Sequence, residues 1–421
     1  MRNFDKAKRI VVKIGTNTLS KDGGVDTAYV RRIAGQISSL LKTGRQVVVI
    51  TSGAIGMGRG QLSGYQDIRA LGSGYRGTRK SGEQRNRGAG MGGGQVVLGR
   101  TVNPDRKSAG GTPNAGRLIS NGVKDIKMRQ ACAAIGQPLL MAEYKKSFAR
   151  YGVTIAQVLV TAEVLNNRKT YLNLRNSVET LLNLSVVPIL NENDSVSTDE
   201  IGSAFGDNDK LSALVASKID ADLLIMLSDI DALYDKDPRK FSDAKSIPAV
   251  YEITEEIMRS AGGKGSAHGT GGMKTKLQAA KIASSAGCRM VLADGRVKNV
   301  IGRIIAGEEI GTVFMPKRKL SNRARWILNS SAAGVINIDE GAMKAVRNHK
   351  SLLPSGVISI EGSFEAGAVV MLNDNAKAVT NLSSSQLKAL AGKHSSEIRK
   401  ILGPKHRDVV AIPEDIVIID Y

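Results

Sequence analysis

The chain has 421 residues, a net charge of +21 and a hydrophobic content of 42%. This length allows two domains or three, and the positive charge favours anionic partners such as nucleotides, acidic metabolites or nucleic acid. The two cysteines, Cys132 and Cys288, lack the spacing of a disulfide framework or a cysteine-based zinc site. No apolar run reads as a signal peptide or approaches the ~18 residues of a membrane span. We therefore expect a cytoplasmic protein without membrane contact.

Short apolar runs alternate with helical patterns over the first 315 residues. The predicted strands are 9–15, 46–53, 153–161, 185–194, 222–229 and 289–295, and the helix-compatible segments include about 26–42, 208–219 and 272–287. A continuous β-branched run such as RIVVKIG at 9–15 is typical of a buried parallel strand. The alternation predicts an α/β fold, in which helices cover both faces of a parallel sheet.

Small, polar and glycine-rich sequences follow these predicted strands. They read KIGTNT, TSGAIG, LNENDS, LSDIDALY and ADGR. Ligands of parallel α/β sheets bind beyond the carboxyl ends of the strands. The strand ends therefore predict a site for a phosphate or a polar metabolite.

The segment AHGTGGMKTKLQAA at 267–280 places Lys274 and Lys276 in the first turn of a predicted helix. A helix N-terminus already carries about half a positive charge, so each lysine there is misplaced by roughly 0.3–1 kcal/mol unless an anion binds. The glycines before the helix could form a phosphate cradle, although the segment is not a Walker loop. A surface loop with solvated lysines is the alternative.

A glycine- and arginine-rich insertion spans 63–122. It contains 15 glycines, 10 arginines and lysines and 3 acidic residues. Such a composition buries too little apolar surface to offset the entropy of ordering, so we expect disorder or weak order. An RNA-binding tract is an alternative, but Tyr65 and Tyr75 are its few stacking surfaces. A passive insertion is favoured.

A basic segment at 315–325 reads as a linker between two domains. We expect the first domain over 1–318. Beyond the linker, short strand-like runs with glycines and one helix-like segment predict a small, mostly β domain over 326–421.

Six motifs in order resemble the amino acid kinase family and, within it, the glutamate 5-kinases. They are VVKIGTNTL, VITSGAIGMG, VVPILNENDSV, GDNDKLSA, LSDIDALYDKDPR and GTGGMKTKLQAA. The tail resembles a PUA domain. The resemblance implies ATP-dependent phosphorylation of the side-chain carboxylate of L-glutamate to L-glutamyl 5-phosphate, the first step of proline biosynthesis. It also implies a dimer or tetramer and raises feedback inhibition by proline as an expectation.

The resemblance assigns the phosphate chemistry to Lys13 and Lys276, with Asp209 holding both lysines. As a bare residue, Asp209 could equally cap a helix. The ATP-binding positions implied by the match are Lys13, Ser228, Asp229, Thr270, Gly271, Gly272, Met273, Lys274, Thr275 and Lys276. Mg²⁺ is expected to arrive with ATP, held mainly by phosphates and water, without a dedicated protein metal site.

The same match places Ser52, Asp194 and Asn208 in contact with glutamate, with Asn191 and Asp207 as weaker candidates. A substrate ammonium needs a carboxylate such as that of Asp194. A carboxylate acceptor is already ionised at pH 7, so its phosphorylation requires no general base.

Two other functions stay open at this point. The chain could be an RNA-binding or regulatory protein on a kinase scaffold, or a kinase for another amino acid carboxylate. The insertion is the main departure from the family. Residues 60–128 replace a family segment of roughly 15 residues, a lengthening that costs only ~1.4 kcal/mol in loop closure.

Overall fold

The computed structural model describes residues 2–21, 24–72, 126–196, 208–260, 272–316, 320–392 and 409–419, without the side chains of 64–72 and 260. The strands of the first domain are β1 (Arg9–Ile14), β2 (Ser20–Lys21), β3 (Gly24–Val25), β4 (Gln46–Ile50), β5 (Ile155–Val160), β6 (Val187–Glu192), β7 (Leu223–Ser228), β8 (Leu233–Tyr234), β9 (Ser246–Ile247), β10 (Ala249–Val250), β11 (Arg289–Asp294) and β12 (Thr312–Phe314). Eight of them form one sheet in the order β10-β12-β11-β7-β1-β4-β6-β5.

Helices cover both faces of this sheet. They are α1 (Thr16–Leu19), α2 (Thr27–Leu41), α3 (Ala54–Gly72), α4 (Ile126–Ala149), α5 (Ala162–Asn166), α6 (Arg168–Asn183), α7 (Asn208–Lys218), α8 (Glu255–Ser260), α9 (Met273–Ser285) and α10 (Val300–Ile305). Helix α2 begins where the sequence predicts, because the Asp26 carboxylate accepts a hydrogen bond of 2.8 Å from the Tyr29 amide.

Strand β1 lies in the middle of the sheet and pairs in parallel with β4 and β7. Ile10 and Val12 enter the apolar core on one face, and Val11 enters the core on the other, as the period of two along a strand requires. Strands β4 and β6, and β7 and β11, are also parallel. The carboxyl ends of these five strands therefore meet along one edge, which confirms the predicted parallel α/β sheet.

Helix α3 continues to Gly72, so the first ten residues of the predicted insertion, 63–72, have a helical backbone in the structure. The helix is fixed by its close approach to α4. A Cβ atom at Gly58 would lie 1.9 Å from the Cys132 carbonyl oxygen, and one at Gly136 would lie 1.8 Å from that of Ala54. Glycine at both positions lets the two backbones touch. The rest of the predicted insertion, 73–122, lies outside the described residues.

The C-terminal domain has its own sheet and core. Its elements are α11 (Asn322–Asn329), β13 (Gly334–Ile338), α12 (Glu340–Arg347), β14 (Val357–Gly362), β15 (Val369–Leu372), β16 (Ala376–Val379), α13 (Ser384–Leu390) and β17 (Ile416–Ile418). The strand order is β14-β13-β15-β16-β17. Ser383 and Gln386 form a reciprocal capping box at the start of α13, and residues 393–408 of the predicted helical segment lie outside the described residues.

The segment predicted as a linker is partly wrong, because 322–325 begin helix α11. Ser321 caps this helix by accepting from the Ala324 amide. Arg325 is only 2% exposed, and its guanidinium donates to the Ser217 carbonyl and to Asp220. Arg325 can be buried here because acceptors at the end of α7 accept its hydrogen bonds.

Trp326 joins the two domains through an apolar cluster. It packs with Tyr171 of α6 and with Val369 and Val379 of the C-terminal sheet. The indole is 4% exposed. Helix α11 therefore packs against both domains and is not a solvent-exposed linker.

Replacing Trp326 with alanine should lower the free energy of unfolding by about 3–5 kcal/mol, because it empties the centre of this cluster. Leu353→Ala is the matched control, since Leu353 is 42% exposed and should change stability by no more than about 0.5 kcal/mol. Urea denaturation of the full-length chain measures both. Similar small losses in the two variants would contradict the assignment of α11 as a packed junction.

Candidate active site

The Asp209 carboxylate bridges two lysines that are distant in sequence. Lys13 Nζ lies 2.5 Å from Asp209 Oδ1, and Lys276 Nζ lies 3.1 Å from Asp209 Oδ2. Lys13 is the second-last residue of β1, Asp209 lies in the first turn of α7, and Lys276 lies in the first turn of α9. The structure brings these three predicted side chains together, with one Asp209 carboxylate oxygen at each lysine.

All three side chains are buried. Lys13 and Lys276 are each 3% exposed, and Asp209 is fully buried. Both oxygens of the Asp209 carboxylate are used by the lysines, and the charge of Lys276 also acts on Asp229, just after β7. Burying charge is costly unless it is paired and hydrogen-bonded. The arrangement holds two ammonium groups in fixed positions, which suits an anionic ligand.

Thr275 extends this cluster. Its hydroxyl lies 2.9 Å from Asp209 Oδ2 and 2.8 Å from the Gly272 carbonyl oxygen. The single hydroxyl proton can be donated to one of these two acceptors at a time. The sequence placed Thr275 among the ATP-binding positions, and its contact with Asp209 was not foreseen.

The start of α9 shows where the two lysines of its first turn lie. Gly272 is the N-cap residue, without a side-chain cap, and Met273 begins the helix. Lys276 turns inward to Asp209, whereas Lys274 is exposed. Met273 packs partly against the core. The predicted positions Thr270 and Gly271 lie outside the described residues.

A second cluster surrounds Asn208, the first residue of α7. Its Nδ2 lies 2.7 Å from the Thr51 carbonyl oxygen, 2.9 Å from Ser52 Oγ and 3.0 Å from Asn191 Oδ1. An amide has two N–H groups, so three acceptors compete for them. Asn208 Oδ1 is buried without a hydrogen-bond partner among the described residues. It is an acceptor available to a ligand.

Gln137 of α4 completes the cluster around Asn208 and was not predicted. Its Oε1 accepts a hydrogen bond of 2.8 Å from Asn191 Nδ2, and its own Nε2 is buried without a partner within the described part of the chain. Gln137 lies inside a helix, where no strand-end pattern marks it. A buried donor and a buried acceptor, from Gln137 and Asn208, thus lie on either side of Asn191.

Asp194 lies on the turn after β6, three residues beyond Asn191. Burial raises the pKa of its carboxyl group above the usual range, and the positive charge of Arg129 on α4 lowers it in part. Such a carboxylate gains from a cationic partner. The predicted residue Ser52 follows β4, Asp194 follows β6, and Asn208 begins α7. All three therefore lie at the common edge of the sheet.

Ser228 is the last residue of β7, and Asp229 follows it within the range of the charge of Lys276. Burial acts to raise the pKa of Asp229, but hydrogen bonds from Asn17 and Ser228, with the charge of Lys276, lower it overall. Asn17 Nδ2 lies 2.8 Å from Asp229 Oδ2, and Ser228 Oγ lies 3.1 Å from Oδ1. Asn17 was not predicted, although it belongs to the KIGTNT strand end.

The described residues contain no group of three or more histidine, cysteine, aspartate or glutamate side chains able to hold a metal ion. None of their helices has the length and apolar character needed to cross a membrane.

Comparison with known proteins agrees with this architecture. Residues 8–294 match the model of the amino acid kinase family, and residues 334–402 match the PUA domain. This chain belongs to the amino acid kinase family. It is a kinase of that family with a C-terminal PUA domain, as the strand-end motifs and the tail imply.

Two relatives of this amino acid kinase match it along almost its whole length. Glutamate 5-kinase of Methanosarcina mazei is 40% identical over 430 residues, covering 99% of this chain and 97% of the relative. Glutamate 5-kinase of Thermoanaerobacter pseudethanolicus is 40% identical over 421 residues, covering 98% of each. The structure of UMP kinase from Bacillus anthracis covers 75% of this chain and 98% of its own, with a TM-score of 0.43 and 13% identity.

Replacing Asp209 with asparagine should lower the free energy of unfolding by about 3–5 kcal/mol, because it removes the carboxylate that pairs with two buried ammonium groups. Asp243→Asn is the matched control. Asp243 is paired with Lys236 at 2.6 Å but is 75% exposed, so its loss should cost less than about 1 kcal/mol. Urea denaturation without ligands checks both. Equal losses would show that the lysines do not depend on Asp209.

Proposed function

We propose that this protein is a glutamate 5-kinase, which transfers the γ-phosphoryl group of ATP to the side-chain carboxylate of L-glutamate and so begins proline biosynthesis. The observation that carries the proposal is the start of α7. Its first two residues point to different clusters, with Asn208 contacting Ser52 and Asn191 and Asp209 contacting Lys13 and Lys276. This arrangement at one helix end supports an acceptor site next to a phosphate site.

In the proposed reaction, an oxygen of the glutamate side-chain carboxylate attacks the γ-phosphorus. A new O–P bond forms, the bond to the β-phosphate oxygen breaks, and ADP leaves with that electron pair. The carboxylate is ionised at neutral pH, so no proton has to be removed. Positioning and neutralisation of charge then supply most of the catalysis.

The two lysines are suited to bind the transferring phosphoryl group, which is anionic. Lys13 and Lys276 are desolvated, and Asp209 fixes both of them through opposite oxygens. Donors that are preorganised in this way stabilise charge as it spreads over the transferring oxygens. The uncapped N-terminus of α9 adds amide donors beside Lys276, as a phosphate site requires.

Mg²⁺ is proposed to arrive with ATP and to be held mainly by phosphates and water. Asp229 is the carboxylate at this place that fits such an ion, since hydrogen bonds and the charge of Lys276 keep its pKa low. The ion would supply further neutralisation of the phosphate charge. The chain's own residues perform the positioning.

The polar pocket fits the amino acid. The Asp194 carboxylate and the unpartnered acceptor Asn208 Oδ1 suit the substrate ammonium, while the Ser52 hydroxyl and the unpartnered donor Gln137 Nε2 suit its carboxylates. We extend the proposal to the other properties that the family resemblance implies. These are a homo-oligomer, inhibition by proline and a cytoplasmic location.

RNA binding by the PUA domain is a second candidate, favoured by the match over residues 334–402 and by the net charge of +21. A salt-dependent shift of labelled RNA without glutamate-dependent ATP turnover would support RNA binding as the main function. ATP turnover that requires L-glutamate, with L-aspartate and N-acetylglutamate as controls, supports the kinase.

Lys13→Ala and Lys276→Ala should each lower kcat by about 10²–10³, with a much smaller effect on the KM for glutamate, because the lost donors act mainly on the transition state. The glutamate-dependent release of ADP measures both parameters. Lys281→Ala is the control, since Lys281 is exposed on the same helix α9 and should keep normal turnover. An unchanged kcat with a raised KM for ATP would restrict both lysines to ground-state binding.

Asp194→Asn should keep or raise the melting temperature at pH 7 while abolishing the stabilisation by L-glutamate. Burial raises the folded-state pKa of Asp194, so the neutral form is favoured on folding. That contribution to stability is present at low pH and is lost as the pH rises through the raised pKa. At pH 7 the free protein therefore bears the cost of a buried carboxylate, which asparagine avoids.

Thermal unfolding with and without L-glutamate tests this prediction, with Asp243→Asn as the surface control. A glutamate-induced shift that survives in Asp194→Asn would remove Asp194 from the ammonium site. A large loss of stability in the free variant would show that the carboxylate is instead needed for folding.

A further inference from the structure

Asn17 links the ends of two neighbouring strands through a side-chain hydrogen bond. It is the second residue of α1, which follows β1, and its Nδ2 lies 2.8 Å from Oδ2 of Asp229, which follows β7. Strands β1 and β7 are parallel neighbours, so the two residues leave the sheet side by side. The contact therefore lies at the carboxyl edge of the sheet, where ligands of parallel α/β sheets bind.

The backbone around Asn17 is packed against the same strand ends. A Cβ atom at Gly15, two residues earlier, would lie 3.7 Å from both Lys13 Nζ and Ser228 Cα. The Asn17 carbonyl oxygen accepts a hydrogen bond from Arg296 Nη2 at 3.3 Å, from the turn after β11. Asn17 is thus held between the ends of β7 and β11, two residues from a position that contacts the lysine bridge.

The Asp229 carboxylate is held at both of its oxygens. Asn17 binds Oδ2, and Ser228 Oγ lies 3.1 Å from Oδ1. The backbone amide of Asp229 supplies a third hydrogen bond. A carboxylate has about four lone-pair positions, so these three bonds do not exhaust it. Asp229 is exposed, and a ligand from solvent can therefore reach a carboxylate whose orientation is already fixed.

The donors that hold Asp229 are neutral, so they orient the carboxylate without cancelling its charge. Lys276 acts on Asp229 through its charge, but its ammonium group forms its ion pair with Asp209. A lysine or arginine in place of Asn17 would orient the carboxylate and neutralise it at the same time. A fixed carboxylate that keeps its charge suits a hard divalent cation, which prefers oxygen ligands.

We propose that Asn17 is a positioning residue for nucleotide binding, which acts by holding the Asp229 carboxylate in place for the cation of a magnesium–nucleotide complex. The inference rests on the proposed function, because that function places ATP and Mg²⁺ at this edge of the sheet. Without Asn17, the Asp229 side chain gains rotational freedom that has to be lost again when the nucleotide binds. The affinity for the complex then falls.

A purely structural tether between the two strand ends would have different consequences. Its loss would lower the stability of the fold and would disturb both substrates alike. The positioning role concerns the nucleotide alone, because the predicted glutamate contacts Ser52, Asp194 and Asn208 lie on other elements of the edge.

The test measures the Kd of ADP in the presence of Mg²⁺ by isothermal titration calorimetry on the full-length protein. Asn17→Leu removes the donor and excludes the water that would otherwise replace it. The Kd should rise about tenfold, as expected for the loss of a hydrogen bond to a charged group. Asn173→Leu is the matched control, since Asn173 is exposed on α6, and it should keep the wild-type Kd. The thermal stabilisation by L-glutamate should stay unchanged in both variants.

A double-mutant cycle shows whether Asn17 acts through Asp229. Asp229→Asn should also raise the Kd, and adding Asn17→Leu to it should change the Kd by less than about twofold, because the two residues form one interacting unit. A tenfold rise in both backgrounds would overturn the proposal. An unchanged Kd in Asn17→Leu, or an equal loss of the L-glutamate shift, would overturn it as well.

Asn17→Ala is the second variant should urea denaturation show that Asn17→Leu is unfolded, and its Kd should rise in the same direction. Glutamate-dependent ATP turnover by the wild type tests the proposed function separately. Turnover together with a Kd that does not depend on Asn17 overturns the positioning role alone. A Kd that depends on Asn17 without any turnover supports the positioning role and overturns the kinase assignment. Absence of ADP binding by the wild type overturns both.

Discussion

The bridge from Asp209 to Lys13 and Lys276 is the interaction on which the proposed site depends. It ties the end of β1 to the starts of α7 and α9, three elements that are far apart in sequence. Charges buried to this degree are stable together and costly apart, so the fold holds the lysines at one place before any ligand binds.

The same helix, α7, connects the clusters at its two ends. Its first residues, Asn208 and Asp209, contribute to the polar pocket and the lysine bridge, and its last residue, Lys218, lies at the domain junction. Arg325 binds the carbonyl of Ser217 there, and Trp326 packs against both domains. The C-terminal domain is thereby attached to the element that carries the site, about 15 Å of helix away.

Close backbone contact shapes the acceptor side of the site. Gly58 and Gly136 let α3 and α4 touch, and this brings Gln137 to Asn191 at 2.8 Å. A methyl group at either glycine would force the helices apart and move the polar pocket. A glycine- and arginine-rich segment lies between α3 and α4 in the sequence. The contact that positions Gln137 is made by these two helices, at Gly58 and Gly136.

The sequence by itself determined the alternating strands and helices, the common edge of the parallel sheet and the strand-end motifs, because hydrophobic period and glycine placement are local properties. It also identified Lys13, Asp209 and Lys276 through ordered motifs. Only the tertiary structure decided that Gln137 and Asn17 join the clusters, that Lys274 stays exposed while Lys276 turns inward, and that a basic segment becomes the buried helix α11. These outcomes depend on partners distant in sequence, whose distance and burial no local pattern contains.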